Sequence, residues 1–199
     1  YSYKDRESSV IWFFSEDIAL PTIRLNRRKE TTHMNRSQRR KHKKKVRKRG
    51  LNVDCDDARL TEAASLQKQG DIENSHALYE AILADDPKNF TAWHLCGLCD
   101  MQMGNLDAAI TRISKALKIR PRYPVALNNL GLALHAAGRT EEAAATFRKA
   151  LRFQSDFADA YHNLGNAHLD LAEYKDAAAN YQTALRHRSD FPEVHYSLG

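Results

Sequence analysis

From about residue 56 onward the apolar positions of the chain recur with a period of 34 residues. Trp93, Leu127, Tyr161 and His195 coincide at that step, as do Cys96, Leu130, Leu164 and Leu198, and then Gly97, Gly131, Gly165 and Gly199. Within each copy these positions stand at i, i+3 and i+4, which places them on one face of a first helix, helix A. A turn is expected at Gly70, Gly104 and Gly138, with Ala172 in the fourth copy. A second helix, B, then carries Ser75, Ala109, Ala143 and Ala177, followed by Tyr79, Ile113, Phe147 and Tyr181, and by Ile82, Ala116, Ala150 and Ala184. Small, large, small along helix B predicts an antiparallel hairpin: glycine facing alanine permits a close approach, and the bulky residue fills the wedge beside them. Pro87 and Pro121 are expected to end the first two B helices, since proline cannot continue the ladder, and Ser155 and Ser189 to cap the helices after them.

Self-similarity at a fixed period of this size is the mark of a repeat solenoid. The Trp-x-x-Leu-Gly-like opening, the mid-repeat Ala with Phe or Tyr, and the closing Pro resemble the tetratricopeptide-repeat (TPR) family. The resemblance covers repeats 56–89, 90–123, 124–157 and 158–191 and a partial copy at 192–199, so the array is expected to occupy 56–199. It implies an all-α fold, an α-α superhelix of antiparallel hairpins. Arg59 and Glu62 make the first copy polar on its outer face, as suits an end repeat. Asp100 and His168 stand in slots that are usually apolar or aromatic, where looser packing is expected.

In the family the A helices line a concave groove that holds a protein or peptide. The positions of this chain that match are His94, Leu95 and Leu98; Asn128, Asn129 and Leu132; His162, Asn163 and Asn166; and Tyr196 with Ser197 in the partial copy. Asn129 and Asn163 lie one period apart, and each amide has a donor and an acceptor for an extended peptide backbone. This resembles the asparagine ladder of O-GlcNAc transferases, interrupted here by Leu95 and Ser197, and the array as a whole resembles the TPR region of O-GlcNAc transferase and SPINDLY-like proteins. Two functions are expected on these grounds: a protein-interaction scaffold, or the substrate-binding TPR region of a larger enzyme such as an O-GlcNAc transferase-like glycosyltransferase. The carboxylate clamp of chaperone-binding TPR domains would need Lys or Arg at groove positions, and none stands there.

Charge changes the picture upstream of the array. The formal net charge of +6 conceals fourteen basic residues against one acidic residue in 24–50, while 51–199 carries fifteen against twenty. The stretch 34–50 has almost nothing to bury and is expected to be disordered and basic. Residues 1–33 form an upstream segment of uncertain status, Met34 being a candidate start. Arg39, Arg40, Lys41, Lys43, Lys44, Lys45, Arg47, Lys48 and Arg49 offer a weak contact to nucleic acid or an anionic surface through counterion release. Without aromatics among them, base stacking is not offered.

The remaining chemistry is sparse. Cys96-Gly97-Leu98-Cys99 has redox or metal half-site spacing, but Cys96 fills the Leu slot of the hairpin and Cys55 has no second cysteine beside it. Core packing is therefore the expected role, with no cofactor and no metal. Three cysteines make no disulfide framework, which favours a reducing, cytoplasmic setting. The run Val10–Phe14 is too short to span a membrane. No His-Glu-x-x-His, paired carboxylates or phosphate loop suggests an enzyme. If the basic stretch binds polyanions, the affinity of the chain for a single-stranded RNA should fall steeply with salt and vanish on deletion of 24–50, as a filter-binding titration at several ionic strengths would measure.

Overall fold

A computed structural model describes residues 53–190 together with 192 and 194. The expected segments 1–33 and 34–50, with the basic residues Arg39 to Arg49, lie outside the described residues, as do Tyr196 and Ser197. Eight helices succeed one another among the described residues: α1 Val53–Lys68, α2 Ile72–Asp85, α3 Phe90–Gln102, α4 Leu106–Ile119, α5 Pro124–Ala136, α6 Thr140–Phe153, α7 Ala158–Asp170 and α8 Tyr174–His187. Odd-numbered helices are the A helices of four hairpins and even-numbered ones the B helices. Each packs on its sequence neighbours, giving an all-α solenoid in which contacts stay local.

The turn inside each hairpin is dictated by its left-handed residue. Gly104 has φ +79°, and its N–H bonds the Met101 carbonyl at 3.0 Å while the Asn105 N–H reaches back to the Asp100 carbonyl at 2.8 Å. That is a Schellman closure, which satisfies carbonyls the helix end would otherwise leave open. Ala172 takes the same conformation at φ 59°, and Glu173 N–H bonds the His168 carbonyl at 2.8 Å. The fourth turn thus keeps its shape with a residue that has a Cβ to accommodate.

The hairpin core differs from expectation in one respect. A Cβ on Gly131 would lie 2.7 Å from Phe147 Cδ1, and one on Gly165 2.5 Å from Tyr181 Cε1. On Gly97 it would meet Ile113 at 2.7 Å. The missing side chain of helix A therefore makes room for the large residue of helix B itself, and the small Ala residues flank that contact. Ile113, Phe147 and Tyr181 are consequently buried, each stabilising its hairpin by about 2–3 kcal/mol. In the first hairpin the same place is taken by Ala63, buried with Tyr79, and the Ser75 hydroxyl donates to the Ala63 carbonyl at 2.8 Å.

The hairpins join through continuous apolar clusters. Phe147, Leu134 and Ala143 pack with Leu164 and Ala167 of the next hairpin and with Ile110 of the previous one. Val194, from the fifth copy, packs with Ala158, Ala177, Tyr181 and Ala184. Helices α2 and α4 do end before Pro87 and Pro121, at Asp85 and Ile119. Yet Gln154 and Arg188 end α6 and α8 with nearly the same extended backbone as Arg120 does for α4, without a proline following. Ser155 does not cap α7; the N-cap residue is Phe157, which offers no side-chain acceptor.

Asp100 and His168 are not loosely packed. Both are buried, and Asp100 binds His76 Nε2 at 3.1 Å and Arg112 at 2.5 Å. His168 accepts from Arg148 at 3.2 Å and donates from Nδ1 to Glu173. Substituting Gly131→Ala should lower the melting temperature, destabilising by about 1–3 kcal/mol through overpacking. In the double variant Gly131→Ala/Phe147→Leu most of that loss should be recovered, a comparison that thermal denaturation by circular dichroism would make.

Candidate functional site

The A-helix face is built by a register rule visible only in three dimensions. Successive A helices are one period apart in sequence, but their side chains meet with an offset of 35 residues. Four polar pairs obey it. Gln67 Nε2 donates to Gln102 Oε1 at 2.8 Å, and Asn129 Nδ2 lies 3.0 Å from His94 Nε2. Asn163 Nδ2 donates to Asn128 Oδ1 at 3.0 Å, and His135 Nε2 sits 2.7 Å from Asp170. Each A helix is thereby bonded to the next along the face that the repeat presents away from the hairpin cores.

These bonds place the expected groove residues. His94, Leu95, Leu98, Asn128 and Asn129 are buried, whereas Leu132, His162, Asn163 and Asn166 are half-buried. Leu132 packs against the cluster around Phe147. Asn166 accepts from the Tyr181 hydroxyl at 2.7 Å, and its Nδ2 is 3.4 Å from His162 Nε2. The structure thus joins Asn129 to His94 and Asn163 to Asn128 in two cross-repeat pairs, and groups Asn166 with His162 and Tyr181. Because an amide carries two hydrogens and an acceptor, Asn129 and Asn163 each commit one donor to the neighbouring repeat and retain further polar capacity.

His94 is the anchor of this arrangement. It is 1% exposed, and burial lowers its pKa from 6.5 to about 4. Near neutral pH the ring is therefore uncharged and its Nε2 lone pair accepts the Asn129 hydrogen. The ring stacks on Phe90, with centroids 6.1 Å apart, and meets Tyr123 edge-on at 6.0 Å. Arg120 covers Phe90 and Tyr123 at 5.6 and 4.9 Å from their centroids, a cation–π cap on an apolar edge. Burial also pushes the Tyr123 hydroxyl upward.

Sequence reasoning passed over Gln67, Gln102, His135, Asp170, Phe90 and Tyr123. The first four sit 35 apart in polar pairs, one residue off the 34-residue period, so matching positions along that period does not pair them. Phe90 gave no periodic signal, since Pro124 and Ala158 share its period, whereas Tyr123 shares its period with Phe157 and Phe191, an aromatic row that was the signal available. The two described cysteines are held as thiols: burial pushes Cys96 up to about 12 and Cys99 up to about 11.

The stacked hairpins, their glycine-centred contacts and the bonded A-helix face define a helical repeat solenoid. Family models described as tetratricopeptide repeat match residues 66–128 and 162–199, and one described as TPR repeat matches 132–172. The array is a TPR solenoid. No curated protein matches the chain in sequence. Among solved structures it is similar to PilF of Pseudomonas aeruginosa, at 22% identity and a TM-score of 0.67 over 71% of this chain and 64% of that one. A MamA crystal structure matches at 22% identity and 0.63 over 66% and 77%. MamA of Desulfovibrio magneticus RS-1, from residue 41 on, matches at 18% and 0.63 over 68% and 77%. At these identities the likeness establishes the fold. No helix among the described residues is long and apolar enough to cross a membrane.

The depressed pKa of His94 sets a pH dependence. The unfolded chain binds a proton at this residue near pH 6.5 and the folded chain only near 4, so stability contributed by the neutral ring is complete above about pH 6.5 and lost as pH falls toward 4. The loss should amount to about 2–4 kcal/mol. Urea denaturation at pH 7 and pH 4.5 should show it in the parent, and His94→Gln should flatten the difference.

Proposed function

We propose that the array is a protein-interaction scaffold holding an extended peptide segment along the concave A-helix face. The observation that carries this reading is the pair of cross-repeat bonds, His94 with Asn129 and Asn128 with Asn163. They fix two amides of neighbouring repeats before any partner arrives, which removes part of the ordering entropy that binding would otherwise have to overcome. An amide reads the N–H and C=O of a main chain without regard to its side chains. At the start of α3 the face is aromatic, through Phe90 and Tyr123, so it favours a segment with an apolar residue there. Lacking Lys or Arg at the expected groove positions, it does not favour a free C-terminal carboxylate.

The test is selection of peptides from a random display library on the immobilised chain, followed by fluorescence anisotropy with the enriched sequences. Asn163→Ala should weaken binding by about five- to tenfold, the loss expected for one or two hydrogen bonds, and the further substitution Asn129→Ala should weaken it again. Peptides that bind with unchanged affinity after both substitutions would place the binding surface elsewhere.

A further inference from the structure

Between the first and second hairpins, away from the amide face, three side chains of metal-ligating type converge. His76 of α2 and Cys96 and Asp100 of α3 bring an imidazole nitrogen, a sulfur and a carboxylate oxygen within 4.8 Å of one another. Cys96 and Asp100 are one helical turn apart on α3 and both buried, and His76 is half-buried. His76 Nε2 already stands 3.1 Å from Asp100 Oδ1. Around one tetrahedral zinc ion, with bonds of about 2.0–2.3 Å, ligand atoms lie about 3.3–3.5 Å apart. Small rotations of the side chains would reach that geometry.

We infer that His76, Cys96 and Asp100 form a zinc-class divalent metal site that ties the first hairpin to the second. The surrounding charges suit it. Arg112 holds Asp100 Oδ2 at 2.5 Å and Glu80 at 2.5 Å, so the carboxylate is fixed by a hydrogen-bonded partner, as metal-binding carboxylates generally are, and the ion would take the place of the proton shared between Oδ1 and His76 Nε2. The two positive charges of the ion and the one of Arg112 balance those of the Cys96 thiolate, Asp100 and Glu80. Binding exchanges the Cys96 S–H bond for an S–metal bond and releases that proton to solvent. A water molecule would complete the tetrahedron as the fourth ligand. Cys99 is not a ligand: its sulfur lies 3.6 Å from the Ser75 hydroxyl. The second cluster of this type, His168 with Glu173 and Asp176, is less suited, because both ring nitrogens of His168 are engaged and one of them faces Arg148.

The test uses cobalt(II) as the probe on the full chain after removal of metals with a chelator. A thiolate-to-cobalt charge-transfer band in the near ultraviolet should grow to one equivalent and be displaced by zinc, and zinc should raise the melting temperature. His76→Gln, at a half-buried position that spares the core, should weaken cobalt binding by more than about tenfold, with helical circular dichroism unchanged. Cys96→Ser should abolish the band, and Cys55→Ser should leave it intact. No band in the parent, a band that survives His76→Gln, or one lost in Cys55→Ser would overturn the assignment.

Discussion

The array depends on one contact, the seating of a large B-helix side chain on the bare Cα of an A-helix glycine. Where Gly131 meets Phe147 and Gly165 meets Tyr181, even a single methyl group would overlap the ring. That proximity sets the spacing of the two helices, and with it the depth at which Ala143, Ala150, Ala177 and Ala184 become fully or nearly fully buried. Close-packed interiors transmit such a constraint because voids and overlaps are both unfavourable. The next hairpin then has a fixed surface to dock on, which is why Leu164 and Ala167 join the cluster of the hairpin before them.

Docking at a fixed spacing also decides where polar groups meet. Once the A helices are parallel neighbours, side chains 35 residues apart face each other, and the chain fills those places with amide and imidazole pairs. An unpaired amide at a buried position such as Asn128 would cost about 1–3 kcal/mol; paired with Asn163 it instead holds neighbouring repeats in register. The same pairing pre-positions the amides on the face proposed to hold a peptide, so stability and recognition draw on one set of atoms.

Much of this was legible in the sequence, and the boundary of legibility is physical. The 34-residue period, the turn glycines and the small-large-small pattern on helix B specify the hairpin because they act through neighbours close along the chain. The partner of each groove residue was not legible: Asn129 matches Asn163 by period, yet it bonds His94, because adjacent helices stack with a one-residue offset that no one-dimensional alignment contains. Nor was the burial of His94 evident, since an imidazole on the outer side of helix A is exposed unless Phe90 and Tyr123 close over it.

Asp100 shows why departures from a repeat pattern need not weaken it. In the first and third copies its place is taken by Leu66 and Leu134 and in the fourth by His168, so the carboxylate is the one acidic group in that row. Removing a partner from a buried ion pair costs about 3–5 kcal/mol. Near-identical repeats are open to slipping by a whole copy, because each surface resembles the next. One period further on, however, the positions of His76 and Arg112 are held by Ile110 and Thr146, neither of which can neutralise a carboxylate. Shifted by one repeat, α3 would therefore bury Asp100 unpaired, whereas in the native register Arg112 and His76 both reach it. The charged exception thus makes the second hairpin distinguishable from its neighbours, a property that apolar packing between similar repeats cannot supply by itself.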